Sequence, residues 1–405
     1  MPRDRLSSIP YAMTQTTTTD LLIVGAGPFG LAMAAHARHL GIGHIVVGEP
    51  MQFWRAHMPQ GMFLRSACDW HLDPQDADTI EAFLRTQQLT PRDAEPISLA
   101  RYLEYVRWFQ TRKQIDPWPV CVERLDAIAG GNGGFRATLT DGDAIAAANV
   151  VLAVGFAPFA HVPEDLARVL PAGSFQHTCD LIDFTNIGGQ RCLIVGGRQS
   201  AFEWAALMRE AGAASVHLSH RHDSPVFTES DWSWVNPLLE GMEKNPGWFR
   251  QLTEAERDAM SRRLWAEGRL KLEPWLAARV RQPAISLWPN TRVSDCREMP
   301  GGAFAITLDG AGGSLALEVD RIVLATGYKV NISRVPMLAR GNLLPQLQVN
   351  DGSPALDEHL QSSVHGLFMT SILATRDFGP FFAFTAAVRA SARLIGQALR
   401  LGQAR

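Results

Sequence analysis

Cysteine is scarce in this chain, and the few cysteines are far apart. The 405 residues contain five of them, at positions 68, 121, 179, 192 and 296. No two are close enough in sequence to form a C-x-x-C pair, so we expect neither a dithiol redox centre nor a bound metal. The odd number of cysteines and the lack of a signal peptide favour a reducing, cytoplasmic location.

An excess of charge and a long apolar run are also missing. The formal net charge is −3, with 20% charged and 46% hydrophobic residues, which is typical of a soluble globular protein without a nucleic-acid partner. The most apolar helical pattern, residues 381–400, contains Arg389 and Arg393, so we expect a docked terminal helix and no membrane span. Residues 1–19 are polar and are predicted to be a disordered tail.

A dinucleotide-binding pattern begins at residue 21. An apolar run enters Gly25-x-Gly27-x-x-Gly30, a helical pattern follows, and a second apolar run ends at Glu49. Gly25 permits the tight turn, Gly27 lets backbone N–H groups approach a pyrophosphate, and Gly30 lets the helix pack on the strand. Glu49 stands where a carboxylate accepts from a ribose hydroxyl. The alternative is a glycine turn with a structural role only.

The pattern recurs at residues 190–222. Here the glycine series reads Gly196, Arg198 and Ala201, and alanine is tolerated at the third position because that position serves packing. The Arg198 side chain would crowd a pyrophosphate bound in the standard way, or would swing outward and pair with a phosphate as a cation. Arg221 stands between two histidines where an NAD site carries an acid, which favours a 2′-phosphate. The alternative is a solvated basic strand end.

Each of these two units is followed by two β-like runs and then by an apolar strand that ends in Ala-x-Gly, at 149–158 and 321–330. This order predicts an α/β fold with two Rossmann-like dinucleotide-binding domains, inserted antiparallel β-meanders and a small helical insert. We expect the first domain to comprise residues 20–160 and 326–405. The second domain would comprise residues 161–325, with the helical insert at 223–290.

Taken together, these motifs resemble the single-component (class B) flavin-dependent monooxygenases over most of residues 20–400. In that family the first unit binds FAD and the second binds NADPH. The sequence GAGPFG is similar to the family's FAD turn, and LATGY at 324–328 is similar to its second linker. Residues 53–76 and 223–242 are most similar in layout to the N-hydroxylating branch.

The resemblance implies FAD and NADPH as cofactors, with O2 and a small-molecule substrate as reactants. It implies a C4a-hydroperoxyflavin that oxygenates a soft nucleophile, with an amine nitrogen of a small metabolite preferred. The alternative is an FAD-dependent oxidase or another flavoprotein oxidoreductase whose second site is degenerate at Arg198. A homo-oligomer is compatible with the sequence.

The resemblance also implies site residues. Arg65, Ser66 and Asp69 would supply polar groups beside the reactive face of the flavin, the alternative being ordinary loop residues. Asp377 and Phe378 would stand at the N-terminus of the last helix and face the flavin pyrimidine, the alternative being a helix cap. The full set predicted to bind FAD or NADPH is Gly25, Gly27, Pro28, Phe29, Gly30, Glu49, Trp54, Arg55, Val122, Ala153, Gly155, Gly196, Arg198, Gln199, Ser200, Arg221, Gly327, Tyr328, Asp377 and Phe378.

Two aromatic features leave alternatives open. The predicted insert contains six of the eleven tryptophans, which predict the core of a small helical subdomain. In the alternative, Trp232 and Trp234 line a substrate channel, which would suit an apolar or aromatic substrate. His177 partly matches a family fingerprint and either controls domain closure or has a structural role.

Overall fold

The computed structural model describes residues 15–128, 133–180 and 183–403, so the first 14 residues of the predicted tail lie outside the described part. The strands are β1 Thr16–Val24, β2 His44–Val47, β3 Val122–Ala127, β4 Phe135–Leu139, β5 Ala144–Leu152, β6 Phe175–His177, β7 Arg191–Val195, β8 Ser215–His220, β9 Val226–Phe227, β10 Lys271–Leu272, β11 Ile285–Pro289, β12 Thr291–Glu298, β13 Phe304–Gly310, β14 Gly313–Val319, β15 Arg321–Leu324, β16 Val349–Asn350, β17 Ser353–Pro354 and β18 Leu367–Met369.

The α-helices alternate with these strands in both halves of the chain. They are α1 Pro28–His39, α2 Gln52–Ala56, α3 Ile80–Thr86, α4 Pro91–Ala94, α5 Leu99–Lys113, α6 Glu164–Val169, α7 Gln199–Glu210, α8 Val235–Lys244, α9 Trp248–Gln251, α10 Glu254–Gly268, α11 Ala277–Val280, α12 Pro336–Arg340, α13 Thr375–Phe378 and α14 Val388–Gln403. Short 3-10 turns at Ser371–Ala374, Pro380–Ala383 and Thr385–Ala387 lead into α14.

The first sheet has the order β2-β1-β5-β4-β3, with β18 parallel to the end of β5. β5 belongs both to the antiparallel meander and to the parallel part of the sheet. Its first half pairs with β4 in the meander, and its second half pairs with β18. The carboxyl ends of β1, β5 and β18 therefore meet at one edge of the sheet. In open α/β sheets, this edge is where ligands bind.

β1 is longer than the sequence analysis predicts. Residues 16–19 are threonines that pair in parallel with residues 144–147 of β5, so the prediction of a disordered tail as far as residue 19 is wrong. The error has a physical cause, because threonine is polar but β-branched, and β-branched side chains favour strands where a partner strand is available.

The second sheet is wholly parallel, with the order β11-β8-β7-β15-β6, and its meander is the separate sheet β12-β13-β14. Both predicted βαβ units are present, as β1–α1–β2 and β7–α7–β8. The predicted fold class is confirmed. One strand of the predicted insert, β11, belongs to this sheet, so the helical part of the insert ends at α11.

The helical insert does not have a core of its own. Trp232, Trp234 and Trp248 pack against the main core of the first domain, whereas Trp275 packs against the core of the second domain and Trp265 is 40% exposed. The prediction that the tryptophans fill a separate subdomain core is wrong, because these side chains are buried against the cores of the two domains.

The last helix docks on the protein, as the sequence predicts. α14 packs against α1 and α8. Arg393 donates to Glu243 of α8 at 2.8 Å and to Asp76 at 2.7 Å, and Arg389 also donates to Asp76 at 2.7 Å. Within the described part of the chain, every helix is too short or too polar to traverse a bilayer.

Candidate active site

A cavity of about 1210 Å³ runs from the turn after β1 to the turn after β7. Both turns stand at the carboxyl ends of parallel strands, so the fold itself brings the two predicted dinucleotide sites into one space. The predicted contacts that line its first half are Gly25, Gly27, Pro28, Phe29, Glu49, Trp54, Val122, Ala153 and Gly155.

The three glycines of the first turn differ in what a side chain at each position would meet. Gly25 has φ +110°, and a Cβ there would lie 2.3 Å from the carbonyl oxygen of Ala153. A Cβ at Gly30 would lie 1.8 Å from the carbonyl oxygen of Gly25, so Gly30 serves helix packing and does not line the cavity. No atom lies within 4 Å of a Cβ built on Gly27, which leaves open space at the N-terminus of α1. A pyrophosphate fits there.

Arg55 is predicted to bind a cofactor, but it does not line the cavity. Its guanidinium pairs with Glu49, and the side chains of both residues are more than 40% exposed. Glu49 does line the cavity, so the acid stands where a ribose is expected, with Arg55 behind it.

The second turn also opens into the cavity. The predicted contacts that line it are Gly196, Arg198, Gln199, Ser200, Arg221, Gly327 and Tyr328. A Cβ at Gly196 would lie 2.5 Å from the carbonyl oxygen of Ala325, and one at Gly197 would lie 2.6 Å from the Cβ of His220. The sequence analysis gave no role to Gly197, although the pair Gly196-Gly197 was the signal for this close approach.

Arg198 is held away from its own turn by an aromatic ring from the insert. Its Cζ lies 4.5 Å from the ring centroid of Trp265, and the Cζ of Arg269 lies 5.2 Å from the same ring. This is a cation–π arrangement. The backbone at Arg198 is extended, with φ −117°, so the residue is not strained there. Trp265 and Arg269 are not predicted from the sequence, because they lie at the end of the distant helix α10 and directly after it.

The second turn carries positive charge that no carboxylate of the described residues neutralises. Arg198, Arg221 and Arg269 line the cavity, and none of them forms an ion pair within the described ranges. Burial, with smaller contributions from Arg269 and Arg221, lowers the pKa of Arg198 to about 10, so the group stays charged at neutral pH. Unpaired guanidinium groups on a cavity wall fit phosphate.

Of the three predicted catalytic residues, Arg65 and Ser66 line the cavity and Asp69 does not. The Asp69 carboxylate accepts a hydrogen bond from Asn236 of α8 instead, so its prediction as a catalytic residue is wrong. The Ser66 hydroxyl lies 2.7 Å from the hydroxyl of Thr385.

The Arg65 guanidinium is engaged by the insert through all three of its nitrogen atoms. It donates to Glu273 at 2.8 Å, to the Ser230 hydroxyl at 2.6 Å and to the carbonyl oxygen of Gly268. Arg65 therefore fastens the loop of the first domain to the insert and has few donors left for a ligand.

The predictions for Asp377 and Phe378 are wrong. Asp377 accepts from the backbone N–H of Leu356 at 2.8 Å, Phe378 is 2% exposed, and neither lines the cavity. Gly379, at φ +90°, ends α13, and two further 3-10 turns intervene before α14 begins. Phe384 and Thr385 take the predicted position before the last helix and line the cavity.

His177 has a structural environment. Its Nδ1 accepts from the backbone N–H of Cys179 at 3.1 Å, and the backbone N–H of His177 donates to the Asp180 carboxylate at 2.7 Å. Its ring packs edge-on at 5.6 Å against Tyr328, and burial lowers the pKa of the imidazole. His177 thus supports Tyr328 from behind, while Tyr328 itself lines the cavity.

Glu203 is a cavity-lining carboxyl group that the sequence analysis missed. It is 1% exposed, it belongs to α7, and it accepts from the backbone N–H of Phe63 in the first domain at 2.7 Å. Burial raises the pKa of Glu203 to about 7. A glutamate inside an amphipathic helix gives no sequence signal that distinguishes it from a surface residue.

The class of the protein follows from the match to a family model. The pyridine nucleotide-disulphide oxidoreductase model matches residues 22–244, which is more than half of the chain, and the chain belongs to this family. The ferredoxin–NADP reductase of Paraburkholderia phymatum is 26% identical over 242 residues, which cover 59% of this chain and 61% of that protein. The chain thus spans about three fifths of the curated relative it matches.

Two solved structures share the fold along nearly the whole chain. The ornithine N-hydroxylase of Kutzneria sp. 744, solved with reduced FAD, NADP+ and L-ornithine, has a TM-score of 0.78 and 14% identity, covering 95% of this chain and 100% of that one. The L-lysine 6-monooxygenase of Pseudomonas syringae has a TM-score of 0.72 and 18% identity, covering 95% and 99%. The fold that the resemblance implied is confirmed.

Proposed function

We propose that this protein is a flavin-dependent monooxygenase that binds FAD at the turn after β1 and NADPH at the turn after β7. It transfers one oxygen atom of O2 to a soft nucleophile, an amine nitrogen, of a small molecule. The observation that carries the proposal is the single cavity that contains both glycine turns. A flavin and a nicotinamide can meet only if their sites share one space.

The first turn fits FAD by shape. The open position at Gly27 and the N-terminus of α1 suit a pyrophosphate, and Glu49 stands where a ribose hydroxyl donates. Trp54 and Val122 provide apolar walls on the same side of the cavity. When bound, FAD supplies the transfer of electrons from NADPH to O2.

The second turn fits NADPH by charge. Arg198, Arg221 and Arg269 provide three cations that form no ion pair with a described residue, and NADPH has one more phosphate than NADH to meet them. This argues against the alternative of a degenerate second site, because a site that had lost its ligand would have no need to keep three cations without counter-ions.

The chain's own residues hold the domains together around the reacting space. Glu203 joins α7 to the loop at Phe63, and Arg65 joins that loop to the insert, so the two domains and the insert are tied together around the cavity.

Disulfide chemistry is not favoured, in spite of the family's name. All five cysteines are free, and burial raises the pKa of four of the thiols, those of Cys68, Cys179, Cys192 and Cys296. Cys121 lines the cavity by itself, and a dithiol exchange needs two thiols within reach of each other.

The test is anaerobic mixing of the purified, flavin-loaded protein with NADPH or NADH. We expect NADPH to bleach the flavin absorbance, with at least about tenfold tighter apparent binding than NADH because of the unpaired cations. A protein that binds no flavin, or a bound flavin that NADPH does not reduce, would refute the proposal.

A further inference from the structure

Part of the cavity wall consists of four aromatic side chains and one leucine, which we call the aromatic compartment: Trp70, Trp232, Leu264, Phe381 and Phe384. The Trp70 and Trp232 rings meet edge-on at 6.1 Å. A Cβ at Gly268 would lie 2.7 Å from Trp232 and 3.3 Å from Leu264, so this part of the wall is closely packed.

Three distant segments form the aromatic compartment: the loop at 65–70, the insert at 230–268 and the turns at 380–385. The turns follow β18, which is parallel to β5, so they emerge at the same sheet edge as the turn at Gly27. The hydroxyls of Ser66 and Thr385, 2.7 Å apart, join the loop to the turns. The compartment is therefore continuous with the proposed flavin site.

Few charged side chains lie on this wall. Among the charged residues of 65–70, 230–268 and 380–385, only Arg65 lines the cavity. Arg269, the next residue after the insert segment, lines it too, but its guanidinium stacks with that of Arg198 on Trp265 and belongs to the proposed NADPH site. The guanidinium of Arg65 is already engaged by three acceptors, and its Cζ lies 5.4 Å from the ring centroid of Trp232. Asp69, the carboxylate that could have held an ammonium group, bonds to Asn236 outside the cavity.

We infer that the substrate is an aromatic or bulky apolar amine that has no carboxylate and binds as the neutral free base. The inference rests on the proposed function and deepens it. A free amino acid such as ornithine or lysine would have to place an unpaired carboxylate against aromatic rings, which is strongly unfavourable. An apolar ring gains by burial in the same place.

The reaction then balances as follows. One amine, one O2, one NADPH and one proton give one hydroxylamine, one water and one NADP+. An N–O bond forms and the O–O bond breaks. NADPH and the amine nitrogen each supply two electrons, which together reduce both oxygen atoms, and the neutral amine offers the lone pair that the reaction consumes.

Two pairs of probes that differ by one carboxylate test the inference on the flavin-loaded enzyme. The pairs are 2-phenylethylamine with L-phenylalanine, and putrescine with L-ornithine, and the readout is hydroxylated product per NADPH oxidised. We expect kcat/KM for 2-phenylethylamine to exceed that for each of the other three by at least about tenfold. An equal or higher kcat/KM for an amino acid, or no product from 2-phenylethylamine, would overturn the inference.

Variants of the aromatic compartment test whether this part of the cavity binds the substrate. Phe384→Ala and Trp232→Ala should raise KM for 2-phenylethylamine about tenfold. Trp118→Ala is the matched control, because Trp118 is 39% exposed, close to the 40% of Phe384, and does not line the cavity. Reduction of the flavin by NADPH needs no substrate, so its failure would count against the proposed function, whereas normal reduction with an unchanged KM would count against the aromatic compartment.

Discussion

At the scale of single residues, Arg198 shows how a substitution in a motif can preserve the motif's purpose. The extended backbone at this position accepts any side chain, and the stack on Trp265 keeps the guanidinium clear of the turn. The glycine that the close approach does require is Gly197, which lies against His220. The sequence predicted the outward swing of Arg198 as one alternative, but it could not identify the ring that receives it.

Replacing Arg198 by alanine should weaken NADPH binding. The variant loses one of three unpaired cations, so we expect the dissociation constant to rise about tenfold, which corresponds to about 1.4 kcal/mol. FAD content should not change. Titration of flavin-loaded protein with NADP+ measures the constant, and Arg297→Ala, at a side chain 79% exposed outside the cavity, is the control. Tighter or unaltered binding in Arg198→Ala would show that the side chain obstructs or ignores the cofactor.

At the scale of elements, the sequence predicted best the parts whose pattern is local. Both βαβ units, both meanders and the docked last helix follow from apolar periodicity and glycine spacing, and all are present. The prediction that the last helix begins near Asp377 is wrong. The short helix α13 ends just before Gly379, and 3-10 turns that depend on tertiary packing follow from Pro380. Phe384, which follows the predicted Phe378 by one 3-10 turn, reaches the cavity through tertiary packing.

The insert helix α10 is an element whose role could not be predicted from the sequence. Its charged and apolar residues indicate only a helix, yet Trp265 meets two guanidinium groups of the proposed NADPH site. The contact joins Arg198, which directly precedes α7, to Trp265 near the end of α10. Residues so far apart in sequence leave no local pattern that would predict their contact.

Replacing Trp265 by alanine should therefore weaken NADPH binding through a residue outside both glycine turns. Without the ring, Arg198 and Arg269 lose a shared support, and we expect the dissociation constant to rise about threefold to tenfold. Trp265→Phe keeps a ring and should restore part of the affinity, which a purely structural role in α10 would not require. Titration with NADP+ is the measurement, Trp118→Ala is again the control, and wild-type affinity in Trp265→Ala would refute the role.

At the scale of the whole molecule, the site is a product of contacts between segments that are far apart in sequence. Arg65 with Glu273, Phe63 with Glu203, and Ser66 with Thr385 join the loop of the first domain to three other regions. The sequence could nominate Arg65 and Ser66 through a family resemblance. It could not show that Arg65 is occupied by the insert, or that part of the cavity wall is aromatic.

The ionisation of Glu203 should make the stability of this assembly depend on pH. Its pKa is raised from 4.5 to about 7 by burial, so between these values the native protein binds more protons than the unfolded chain. The free energy of unfolding should therefore fall as pH rises from about 4.5 to about 7 and then level off, with a loss of about 3 kcal/mol in all. Glu203→Gln keeps an acceptor for the N–H of Phe63 and removes the ionisation.

We therefore expect Glu203→Gln to match the wild type near pH 5 and to be more stable by about 2–3 kcal/mol at pH 8. Denaturant unfolding of the flavin-loaded proteins at both pH values measures the difference. Glu104→Gln is the matched control, because Glu104 is exposed and forms no ion pair with a described residue, so its effect should not depend on pH. If Glu203→Gln were instead less stable at pH 8, the buried carboxylate would be ionised and favourable there, stabilised between Arg65 and Arg279, and the link between the domains would be electrostatic.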